Sequence, residues 1–163
     1  MAHFNEYLDL LELSPLVNHC LQNGKKRLYK KGEFFCQTSE VCHNIAYISQ
    51  GSFRYFYLDT EGNKHIIGYS FEKDFVADYE SFTRQTPAII YTEAIKASTV
   101  YQLSYNQLEE FWAATRQNQL LGRKIAENLF CMTYHRLLNL YSASPKIRYQ
   151  ELLKRCPDIV HQT

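Results

Sequence analysis

Between Lys25 and Leu103 the chain alternates in a period of two. Phe53, Tyr55 and Tyr57 are interleaved with Ser52, Arg54 and Phe56, and Gly32, Gly51 and Gly62 each separate apolar-rich segments. Alternation of this kind marks half-buried strands, and glycine at the breaks supplies the tight reversal or positive φ that a turn needs. The run Asp59-Thr60-Glu61-Gly62 predicts a hairpin turn. Ile89–Ile95 and Thr99–Leu103 predict two more strands, with Lys96-Ala97-Ser98 between them. The pattern is that of a jelly-roll or barrel, not a helical bundle.

On both sides of this zone the spacing becomes helical. From Asn5 to Gln22, the residues Tyr7, Leu8, Leu10, Leu11, Leu13, Leu16, Val17 and Leu21 recur at helical intervals, broken by Ser14-Pro15. Two short helices are predicted under the barrel, with Ser14 as cap and Pro15 at the first helical position. After Ser104, a wide apolar stripe is supplied by Leu108, Phe111, Trp112, Leu120, Leu121, Ile125, Leu129, Met132, Leu137, Leu138 and Tyr141. A short helix and then a long one over 118–141 account for it, the long one spanning on the order of 36 Å. That is more than one small barrel covers, so the free side calls for a partner. A homodimer through Leu121, Ile125, Leu129 and Met132 is the simplest cover.

Composition narrows the functional classes. With 163 residues the chain suits one domain and a flanking element, mainly β with α, and its 13 Tyr and 10 Phe suit cross-strand pairing. Lys and Arg total 18 against 17 Asp and Glu, so no bulk field drives the chain onto phosphate or an anionic membrane. The amino terminus lacks a basic segment followed by an apolar stretch, and nowhere do apolar residues run together for a membrane span. A cytoplasmic protein without membrane contact is expected. Cys20, Cys36, Cys42, Cys131 and Cys156 are scattered without CxxC spacing, against a disulfide framework or a zinc site.

Catalytic patterns are equally sparse. His43, His65 and His135 lie far apart, His3 and His161 stand near the ends, and His19 beside Cys20 lacks a paired ligand; a metal-dependent barrel enzyme needs a closer set. No glycine loop with lysine cradles a phosphate, and no nucleophile context is visible. Neither catalysis nor a bound cofactor is expected.

The order of helices, the segments KKGEFFCQ, AYISQGSFRYFYLDTEGNKHIIGYS and KDFVADYESF, then TEAIKASTVYQLSYNQLEEF and the long helix resemble the effector domain of Crp/Fnr-type transcription regulators, a cyclic-nucleotide-binding jelly roll. The resemblance covers nearly the whole chain. It implies a pocket in which a Phe-Gly-Glu-Leu run opens a short helix, its N–H groups cradling a cyclic phosphate. The Glu would bond the ribose, and an Arg ten residues on would pair with the phosphate. Here Phe75-Val76-Ala77-Asp78-Tyr79 takes the place of that run, and Ala88 stands where the arginine would be. Ala77 replaces the glycine and Asp78 is one methylene shorter than Glu, so cyclic nucleotides are not expected to bind. Arg84, in the same loop, keeps another anionic effector open. The run Pro87 to Tyr91, with Ile89, predicts an apolar pocket wall, filled by Tyr79, Ile89 and Tyr91. Thr133 falls where the helix would face a nucleotide base. The iron–sulfur sensing of part of this family needs clustered cysteines, and these are spread out.

The resemblance also divides the chain. Residues 1–141 would form the sensor domain with its dimerisation helix. Residues 142–163 would hold a hinge at Ser142-Ala143-Ser144-Pro145 and the first helix of a DNA-binding domain, ahead of Cys156-Pro157-Asp158. The recognition helix of a helix-turn-helix does not follow within this sequence. The expected protein is the sensory and dimerisation domain of a regulator with a degenerate nucleotide pocket. The alternative is a stand-alone interaction module that binds no small molecule.

Overall fold

The computed structural model describes residues 4–10, 12–155 and 159–162. In chain order its elements are α1 (Tyr7–Leu10), α2 (Ser14–Asn23), β1 (Lys25–Tyr29), β2 (Phe34–Cys36), β3 (Asn44–Gln50), β4 (Ser52–Leu58), β5 (Lys64–Phe71) and β6 (Phe75–Val76). There follow α3 (Tyr79–Arg84), β7 (Tyr91–Ala94), β8 (Ser98–Ser104), α4 (Tyr105–Ala114), α5 (Arg116–Ser142), α6 (Pro145–Arg155) and α7 (Ile159–Gln162). They fall into two compact units, one of residues 14–111 and one of residues 1–13 with 112–163.

The first unit is the jelly roll that the alternation predicts. Two four-stranded sheets, ordered β1-β8-β3-β6 and β2-β7-β4-β5, are antiparallel throughout. The inward positions Tyr29, Ala46, Ile48, Phe53, Val76, Ala94 and Val100 make one buried cluster. Tyr29 and Phe53 meet edge to face with centroids 5.5 Å apart, the geometry that aromatic quadrupoles favour. The phenol of Tyr29 accepts a hydrogen bond from Gln102 Nε2 at 2.8 Å, so the buried polar ends of both residues are paired.

The turns follow their residues. In the β4–β5 hairpin, Asp59 Oδ1 accepts from the backbone N–H groups of Glu61 and Asn63, both at 2.9 Å, and Gly62 takes φ 83°. Between β3 and β4, Gly51 takes φ 109°, and a Cβ there would collide with the side chain of Ser98. α2 packs on β3 and β8 with Leu16 and Cys20 buried. Ser14 is the first residue of α2 rather than its cap, a shift of one position. β7 starts at Tyr91, not Ile89. Pairing with β4 begins at Phe56↔Tyr91, and Ile89 and Ile90 form a bend ahead of it.

The second unit is helical. Thr115 Oγ1 accepts from Asn118 N at 3.0 Å, so α5 starts at Arg116 and runs to Ser142, longer than predicted at both ends. α1 packs against α5, and Arg136 donates to Phe4 O at 2.9 Å and to Asn5 Oδ1 at 3.2 Å. The sequence pattern did not indicate that partnership. Leu121, Ile125, Leu129 and Met132 are half-buried, while Phe130, Tyr134, Leu137, Leu138 and Tyr141 form the exposed apolar face of the same helix. Past Ser142, Ala143 is extended and Pro145 opens α6, with Ser144 Oγ accepting from Ile147 N at 3.4 Å. Leu11, Cys156, Pro157 and Asp158 lie outside the described residues.

Candidate functional site

The candidate pocket region is built where β6 runs into α3. The short β6 pairs with β3 at Ala46↔Val76, which places Ala77 and Asp78 at the edge of the sheet. Asp78 then caps α3: its Oδ1 accepts from Ser81 N at 3.1 Å and its carbonyl accepts from Phe82 N at 2.8 Å. Its other oxygen, Oδ2, is buried without a protein hydrogen-bond partner, and burial raises the carboxyl above its ordinary range. The Asp-x-x-Ser spacing is a cap signal legible in the sequence, and the sequence reading treated Asp78 only as a shortened ligand-binding Glu.

Side chains around this turn pair with one another: Tyr55 shares a hydrogen bond of 2.9 Å with Ser70 Oγ, which donates to Phe75 O at 2.8 Å. Desolvation pushes the Tyr55 phenol well up, so it stays neutral. Ser81 Oγ donates to Thr86 O at 2.6 Å and accepts from Cys42 N at 2.9 Å. The hydroxyls of Tyr55, Ser70 and Ser81 are therefore spent on partners within the fold, and none of the three is a site residue that sequence reasoning singled out.

Ala88 is equally committed. It is buried; its N–H donates to Glu40 O at 2.8 Å, and its carbonyl accepts from Ser39 N at 2.8 Å and Thr38 Oγ1 at 3.2 Å. Pro87 makes a bridge with Val41. The segment 38–42 thus links Ala88 to Ser81.

The other predicted positions are placed differently. Arg84 is exposed and pairs with Glu80, also exposed, at 3.7 Å, a contact worth little in water. Tyr79 is 43% exposed and Ile89 is 74% exposed, so neither fills a pocket with protein atoms as expected. The bend at 89–90 precedes the β7 pairing and turns Ile89 outward. Tyr91 does pack, stacked on Phe56 at 5.0 Å. Thr133 is an exposed residue of α5 and belongs to the other unit.

Two four-stranded antiparallel sheets and a short capped helix at a sheet edge define a jelly roll. The chain belongs to the cyclic nucleotide-binding domain family, whose model matches residues 26–115. By sequence, no curated protein matches it. Its fold is that of the catabolite activator protein of Thermus thermophilus, at 16% identity and a TM-score of 0.65, over 82% of this chain and 61% of that one. The regulator CLP of Xanthomonas campestris is similar at 14% identity and a TM-score of 0.65, over 88% and 71% of the two chains. A transcriptional regulator of Thermotoga maritima is similar at 15% identity and a TM-score of 0.64, over 82% of this chain and all of that one. The chain therefore spans under two thirds of the Thermus protein's length. Among the described residues, no helix is long and apolar enough to cross a membrane, and no group of three or more His, Cys, Asp or Glu is placed to hold a metal ion.

Proposed function

We propose that this chain is the sensory and dimerisation domain of a transcriptional regulator, and that its pocket no longer takes cyclic AMP or cyclic GMP. One observation carries the reading: Ala88, at the arginine position, is buried, and its N–H and carbonyl are both bonded to residues 38–40. A hydrogen bond to a charged partner is worth about 1.5–3 kcal/mol, so losing the phosphate pair alone weakens binding roughly ten- to a hundredfold. Restoring an arginine at position 88 would require unstitching a buried loop, not a side-chain exchange alone.

The same reading assigns the exposed face of α5 to a second copy of the chain and α6 to the start of a DNA-binding segment, with the hinge at 142–145. DNA contact would come through a helix-turn-helix. The Xanthomonas neighbour is described as responsive to c-di-GMP; an effector other than a cyclic mononucleotide is the corresponding expectation here, with Ala77, Asp78, Ala88 and Arg84 at its border. Calorimetry of the full chain with cyclic AMP and cyclic GMP tests the pocket: no binding tighter than about 100 μM is expected, and a dissociation constant of about 1 μM, near −8 kcal/mol, would overturn it.

A further inference from the structure

β1 and the two residues after it read Lys25-Lys26-Arg27-Leu28-Tyr29-Lys30-Lys31, so five of the chain's 18 Lys and Arg stand in one short run although the formal net charge is only +1. All five are exposed. None pairs with a carboxylate among the described residues, whereas Arg54, Lys64, Arg84 and Arg123 do. The fold concentrates this charge instead of diluting it. β1 is the edge of its sheet, and the strands behind it, β8, β3 and β6, carry no Asp or Glu at any position. α2, which packs on β3 and β8, has no Asp, Glu, Lys or Arg. The nearest acid in sequence, Glu33, accepts at Oε2 from the backbone N–H of Lys30 at 2.8 Å and not from a side chain. The guanidinium carbon of Arg27 lies 4.6 Å from the centroid of the Tyr29 ring, which anchors it on a buried residue.

We propose that this strip binds the phosphate backbone of duplex DNA, independently of base sequence and apart from any recognition helix. A strand advances about 3.3 Å per residue, and one strand of duplex DNA carries a phosphate about every 3.4 Å along its axis, so cations and phosphates keep step. Four of the five cations are lysines, which meet phosphate as point charges without fixed geometry. A protein interface centres instead on aromatic and apolar anchors and is depleted in lysine. The one apolar side chain exposed on the strip is Leu28, at 69%, too little for an interface core or for insertion into a bilayer. Backbone contact of this kind holds a protein on the duplex and carries no sequence information. It goes beyond the regulator reading, in which DNA contact belongs to a helix-turn-helix, and it stands for this chain whether or not that reading does.

The test is the fluorescence anisotropy of a labelled duplex of arbitrary sequence, titrated with the full chain at several salt concentrations. At about 50 mM salt a dissociation constant of about 1–100 μM is expected, and log K should fall against log salt with a slope of about −3 to −4.5 per chain, near one contact per cation. Lys25→Gln, Lys26→Gln and Arg27→Gln together should reduce that slope by about 2.7 and weaken binding at about 50 mM salt at least about tenfold. Lys30→Gln with Lys31→Gln, which lie past the end of β1 and leave its pairing untouched, should reduce it by about 1.8. Lys146→Gln with Arg148→Gln, on α6, should leave the slope unchanged, which separates the strip from the DNA-binding segment of the regulator reading. No binding tighter than about 1 mM at about 50 mM salt overturns the proposal and leaves the lysines as a guard against edge-to-edge pairing. Binding that survives both strip variants and falls with the α6 variant overturns it too. So does tighter binding, at equal charge, of polyglutamate or of phosphatidylserine vesicles than of the duplex, which would mark an acidic protein or a membrane as the partner.

Discussion

The barrel interior and the outer face of α5 use the same residue types and end in opposite states. Phe53, Ile48 and Val100 are 0% exposed, whereas Phe130 and Tyr141 are 71% and 86% exposed. A strand presents its apolar residues on one side, so two sheets closing on each other cover every inward position. A single helix has no such closure; its stripe is covered only by a second element. Burial of a large apolar side chain stabilises by about 1.5–3 kcal/mol, which the barrel gains internally and the exposed face of α5 would gain only on association.

Substitutions at three places sharpen or break that contrast. The largest effect is expected for Phe53→Ala, which removes a ring packed against Tyr29 and Phe35. Urea unfolding should show a loss of about 3–5 kcal/mol. A loss under about 1 kcal/mol would mean that the barrel is not the self-sufficient part.

On the helix the change should fall on association instead. Phe130→Glu with Leu137→Glu should leave folding stability within about 0.5 kcal/mol while weakening dimerisation by about 2 kcal/mol or more, read by sedimentation. Ile125→Glu with Leu129→Glu, at half-buried positions, should cost both folding and association. A native chain that is monomeric at concentrations on the order of tens of micromolar sinks the assignment.

The smallest effect concerns the exception inside the barrel, the half-satisfied carboxyl of Asp78. Burial raises its pKa above the unfolded value of 3.8. Ionisation therefore costs stability: the cost is absent below 3.8, grows as pH rises, and is complete above the folded pKa. Asp78→Asn keeps a capping side chain and removes the charge. Thermal melts should show it equal to or up to about 1 kcal/mol more stable than the native chain at neutral pH, the difference vanishing towards about pH 4. Asp78→Ala should lose the cap, about 1 kcal/mol. A native stability that rises steadily from pH 4 to neutral with no change in Asp78→Asn would contradict the raised carboxyl.

Local pattern alone determined a good deal of this protein. Alternation at Phe53, Tyr55 and Tyr57, the glycine breaks and the Asp59 turn specified strands and a hairpin, because side-chain direction in a strand depends only on parity. The helical stripe past Ser104 specified α4 and α5 for the corresponding reason of a 3.6-residue period. The family resemblance, rather than local pattern, implied that Ala77 and Ala88 stand where a glycine and an arginine are expected. Spacing along the chain does not say which groups meet across it. That Ser81 would join Cys42 to Thr86, and that residues 38–40 would bind both sides of Ala88, were decided by sheet register and loop closure. The same holds for Ile89, whose apolar character predicted a wall, and which the late start of β7 left on the surface. Parity and period are properties of neighbours in sequence, whereas a hydrogen bond between residues far apart exists only once the two sheets have closed.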